Sequence, residues 1–125
     1  MAMRRRIDDA IGKTALARWR AEGEECDRAT VATAVRWSLE ELAARLPGRA
    51  VEVRVPPAGA VQILGGTVHR RGTPPAVIEM APSTWLDLVV GNRRWEDAVN
   101  HGEISASGER ADLGAYLPLA DFADG

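Results

Sequence analysis

Residues 76–108 read AVIEMAPSTWLDLVVGNRRWEDAVNHGEISASG, and the punctuation of this stretch decides the fold. Ile78 and Met80 alternate with Glu79, the period of a strand with one apolar face. Pro82 suits the first turn of a helix, where its missing N–H has no intrahelical partner to lose. Trp85, Leu88 and Val89 then share one helical face, and Gly91 suits the C-terminal stop. A second short helix is predicted from about Arg94 to His101, burying Trp95, Ala98 and Val99 and ending at Gly102. Ile104 and Ala106 alternate with polar neighbours in a further strand, which Gly108 closes.

Upstream of this block the period is also that of strands. Val51, Val53 and Val55 alternate with Glu52 and Arg54, so the valines are expected to face the core. Pro56-Pro57-Ala58-Gly59 breaks that strand, and Ala60 to Leu64 reads as a second. Gly65-Gly66 is a hairpin signal, and Thr67 to Arg71 would pair back as a third. Gly72-Thr73-Pro74-Pro75 is a rigid loop before the strand Ala76 to Met80. Further upstream, Val31, Val35, Leu39, Leu42 and Leu46 form the clearest amphipathic stripe, capped by Thr30 or Asp27 and stopped by Pro47-Gly48. Ile7, Ile11, Ala15, Leu16 and Trp19 mark an earlier helix that ends near Gly23, with a polar linker from Glu22 to Arg28. Downstream, Arg110 to Tyr116 reads as a last helical turn or two ending at Pro118, and residues 120–125 as a frayed tail.

Together these elements predict a single α+β domain over residues 1–125, with residues 1–28 as an N-terminal helix and linker. Its sheet is five-stranded, mixed and mostly antiparallel, and helices cover one side. The four sequential strands suggest a meander. The helices before the last strand allow a crossover there. The chain has 125 residues, 46% of them hydrophobic and 27% charged, which is enough for one core without disulfide or metal. The net charge of −2 argues against steering toward nucleic acid. Cys26 is the only cysteine, so no internal disulfide can form. Asp8 and Asp9 follow Arg4, Arg5 and Arg6 where an export signal would place an apolar run. No apolar run approaches the roughly 20 residues that span a bilayer. A cytoplasmic location follows as the expectation.

Chemistry is sparse. His69, His101 and Cys26 show no metal-ligand spacing, and no nucleophile elbow, phosphate loop or dinucleotide fingerprint occurs. The expectation is no enzyme, no cofactor and no metal. A small acid–base site would need Glu79, His69 and Arg71 to meet in one pocket. His69-Arg70-Arg71 is otherwise a solvated strand end or an anion contact. The four tryptophans either line a cavity or fill the core.

From Ala50 onward the order of elements resembles the sterol carrier protein family. The carrying features are the strand ending Ala76-Val77-Ile78-Glu79 and the helix–Gly91–helix–Gly102–strand–Gly108 order that follows it. The stretches Val51 to Val61 (VEVRVPPAGAV), Arg71 to Pro75 (RGTPP) and Ala106 to Leu113 (ASGERADL) look like those of small actinobacterial members. The resemblance implies an apolar cavity between sheet and helices that takes a fatty acid, acyl-CoA or sterol-like lipid. Carried onto this chain, its lining would be Trp85, Leu88, Val89, Trp95, Val99, Leu113 and Leu117. Non-covalent lipid binding and transfer is therefore the expected function, with no stable membrane insertion and a weak homodimer allowed. The alternative is an accessory or protein-interaction domain whose core is filled by its own side chains.

Overall fold

The computed structural model describes residues 6–65, 76–107 and 112–119. Helix α1 spans Asp9–Glu22 and leads through a 3-10 turn, Gly23–Glu25, into helix α2, Arg28–Arg45. Strands β1 (Val51–Val55), β2 (Gly59–Ile63) and β3 (Ala76–Met80) follow, then helices α3 (Pro82–Val90) and α4 (Trp95–Asn100), then strand β4 (Ile104–Ser107).

The sheet is mixed, in the order β2-β1-β3-β4, and has four strands among the described residues. The expected strand Thr67 to Arg71 lies outside them. The expected meander is corrected. β1 pairs antiparallel with β2 but parallel with β3, with Val53 opposite Val61 on one side and Ile78 on the other. β4 returns antiparallel to β3, so the parallel pair does not lie at the last strand. The physical reason is visible in β1. Val51, Val53 and Val55 are all fully buried. Central placement gives this strand a ladder on both edges, whereas a meander would leave it at the margin.

The valines face the core as their alternation requires. On the other face Arg54 pairs with Glu52 at 2.8 Å and with Glu79 at 3.9 Å. These contacts raise the Arg54 pKa, with the Glu52 hydrogen bond as the largest cause.

The core continues through α2. Asp27 caps it, accepting from the Thr30 backbone N–H at 3.0 Å and from the Thr30 hydroxyl at 2.7 Å. Those hydrogen bonds hold the Asp27 carboxyl below its ordinary pKa. More of α2 is buried than its stripe predicts: Ala34, Trp37 and Ser38 join Val35, Leu39 and Leu42. The cause is that α2 has two neighbours. On one side Trp85 of α3 donates its indole N–H to the fully buried Ser38 hydroxyl at 2.8 Å. That oxygen has carbonyl acceptors in Ala34 at 2.7 Å and Val35 at 3.0 Å, so the buried polar group is satisfied.

On the other side Trp37 lies against α1 and donates to Asp9 Oδ1 at 3.1 Å. The close approach depends on Gly12, because a Cβ there would stand 2.1 Å from Trp37 Cγ. Ile7 donates its backbone N–H to Glu40 at 2.8 Å, and Arg6 pairs with Glu41. Gly12→Ala is therefore expected to lift α1 off α2. Overpacking of this kind costs about 3 kcal/mol, read as a lower melting temperature with a red-shifted tryptophan emission. An unchanged melting curve would contradict this packing.

Candidate functional site

The site is built from the corner after α3 and from the C-terminal segment. Gly91 adopts the left-handed conformation, φ 85°, and caps α3. The backbone N–H groups of Asn92 and Arg93 then donate to the Asp87 carbonyl at 2.9 and 3.2 Å. This turns the chain sharply and aims Arg93, Arg94 and Trp95 to one side. Arg93 is clamped by Glu103 through two parallel bonds of 3.0 and 2.8 Å, which ties the corner to the start of β4. Burial pushes the nearby Asp87 carboxyl above its ordinary pKa, against the lowering effects of Asn92 and Arg93. Among the described residues Arg94 pairs with Glu96, at 3.3 Å, and both side chains are largely exposed.

Opposite this corner runs residues 112–119. Leu113 and Leu119 are buried, and the Leu119 N–H donates to the Val89 carbonyl at 3.1 Å. Between these two anchors the chain arches outward. Of the helical turn or two expected from Arg110 to Tyr116, the described residues hold one turn, closed by Tyr116 N–H to Leu113 carbonyl at 3.0 Å. Asp112 holds the start of the arch by accepting from the Gly114 N–H at 2.8 Å.

Under the arch lies a half-open groove of about 470 Å³. Trp95, Leu117 and Pro118 form its apolar wall, Arg93 and Arg94 stand on the corner side, and the carboxylates of Glu96 and Asp112 share its rim. Gly114 lets the arch approach the indole, since a Cβ there would meet Trp95 Cδ1 at 3.3 Å and Asp112 Oδ1 at 3.1 Å.

With this geometry in view, comparison with protein families finds a match. The family model described as a bacterial SCP ortholog covers residues 27–119. The chain belongs to the sterol carrier protein-like family. No curated protein matches it. The matched region begins at the cap of α2, so α1 lies outside it.

Within this sterol-carrier-like chain the seven residues singled out from sequence separate into three groups. Trp85, Leu88, Val89 and Leu113 are 0–1% exposed, so no water-sized space touches them, and they sit in the core between sheet and helices. Trp95 and Leu117 come together in the groove. Val99, expected to be buried, is 42% exposed: Ala98 takes the inward position on α4, which is too short to bury two adjacent residues. Sequence reasoning missed Arg93, Arg94, Asp112, Gly114 and Pro118. The adjacent arginines just after the cap glycine were the one available signal. Of the acid–base trio, Glu79 lies on the polar sheet face, while His69 and Arg71 fall outside the described residues.

Gly114→Val is expected to fill the groove from the arch side. Because the added side chain also crowds Trp95 and Asp112, stability should fall by about 1–3 kcal/mol, while affinity for a molecule in the groove falls about tenfold. Calorimetric titration beside a melting curve checks this, and unchanged affinity would contradict the site.

Proposed function

We propose that this protein binds an apolar, lipid-like ligand without covalent chemistry, in the groove beneath the 112–118 arch, and releases it unchanged. The observation that carries the reading is the groove itself. It lies against Leu117, Pro118 and the edge of the largely buried Trp95 ring, in a family of carrier-like domains. Burying apolar ligand surface against that wall supplies the binding energy, at about 0.8 kcal/mol per methylene removed from water. The ligand class is fatty acyl or sterol-like. No catalytic group is called on, and both groove carboxylates already have partners in Arg94 and the Gly114 N–H.

A second reading has its own observation. The space between sheet and helices, where the family resemblance places a cavity, is closed by Trp85, Leu88, Val89 and Leu113. A filled core suits an accessory or protein-interaction domain with no ligand. Titration of the purified protein with a fatty acid, followed by tryptophan emission, separates the two. The lipid reading expects a saturable change that Trp95→Phe removes. No saturable change with any acyl or sterol ligand at micromolar concentration would leave the accessory reading.

A further inference from the structure

Resting on that reading, we infer that the groove is specific for a compact anionic amphiphile, its acid group held by Arg94 and its apolar part ending on Trp95 and Leu117. Two observations carry this, one for the charge and one for the size.

The two arginines at the corner are not equivalent. Arg93 is spent on the clamp to Glu103, with its Nε and Nη2 both engaged, and its removal would loosen the turn into β4. Arg94 makes a single 3.3 Å contact with Glu96, across a pair whose side chains are 77% and 70% exposed. Such a pair is weak and easily exchanged. The remaining N–H donors of Arg94 have no partner among the described residues, and a guanidinium presents a planar fork that fits a carboxylate at two points. A ligand carboxylate can therefore take the place of Glu96 on Arg94 with no rearrangement of the corner. Asp112 engages the Gly114 N–H through one carboxylate oxygen.

The size limit comes from what lies behind the wall. Ala98, Leu113 and Val89 are fully buried and Val90 and Leu119 nearly so, leaving no passage from the groove toward the sheet. The groove volume of about 470 Å³ is that of a small-molecule site and is partly open to water. Methylenes that fit against Trp95 and Leu117 tighten binding by about fourfold each, and those that project beyond the arch contribute nothing.

The test is calorimetric titration of the full chain with butyrate, octanoate and palmitate, each below its micelle concentration, and with octanol. Affinity is expected to rise from butyrate to octanoate and then level off. Octanoate should bind roughly fivefold more tightly than octanol. Arg94→Gln should remove that difference and leave the melting temperature unchanged. Continued tightening from octanoate to palmitate would overturn the compact-ligand inference while leaving lipid binding in place. Equal affinity for octanoate and octanol, or no effect of Arg94→Gln, would overturn the role of Arg94. Absence of binding across the whole series would remove the lipid reading and this inference with it.

Discussion

Val53→Asp is expected to abolish the cooperative fold. Val53 is fully buried at the middle of β1, flanked by Val61 and Ile78 on the two neighbouring strands. A carboxylate there would have no described cation near it, since Arg54 points to the opposite face beside Glu52 and Glu79. The side chain must either hold an unpaired charge in the core or be protonated at a cost, and losses above about 4 kcal/mol follow from such burial. Small domains have only about 5–15 kcal/mol in total, so most of the stability is lost. The expected circular dichroism is that of a chain with little sheet and a broad, non-cooperative melt. Arg54→Ser, one residue away on the wet face, should melt close to wild type. If the two variants behaved alike, the register of β1 would be wrong.

Trp85→Ala should have the next largest effect. The ring is fully buried between α2 and the rest of the core, and its N–H satisfies Ser38. Truncating a buried tryptophan costs about 3–5 kcal/mol through lost contacts and the cavity left behind. The Ser38 hydroxyl is not orphaned, because the Ala34 and Val35 carbonyls still accept from it. The loss should therefore follow volume rather than hydrogen bonding. Trp85→Phe, which keeps a ring but not the N–H, should cost roughly half as much. A Phe variant as damaged as the Ala variant would show that the Ser38 bond dominates. The void left by Trp85→Ala is apolar, so it should stay dry and accept a small aromatic molecule such as indole.

What the sequence showed and what it hid follow from the range of the interactions involved. The alternation of Val51, Val53 and Val55, the stripe on α2, Pro82 at the start of α3 and Gly91 and Gly102 after α3 and α4 are local signals, and each marks a real element. Period alone does not say which strand lies beside which, so the parallel pairing of β1 with β3 was hidden. Trp37 is buried because α1 docks on it, through a glycine that lies on a different helix and far from it in sequence. The groove was harder still. Its wall joins the corner at residues 91–94 and the start of α4 to an arch at residues 114–118, and no single stretch displays that combination. Trp95 and Leu117 were singled out as large apolar residues. The arginines and Gly114 matter only through where the fold places them.

The central claim is that the ligand lies under the arch and not between sheet and helices. Magnetisation transfer between bound octanoate and the assigned methyl and indole protons of the protein tests it most directly. The account predicts transfer to the Trp95 indole, Ala115 and Leu117. Transfer to Val53, Ile78, Leu88 or Val89, or saturable binding with no contact to Trp95, would contradict it.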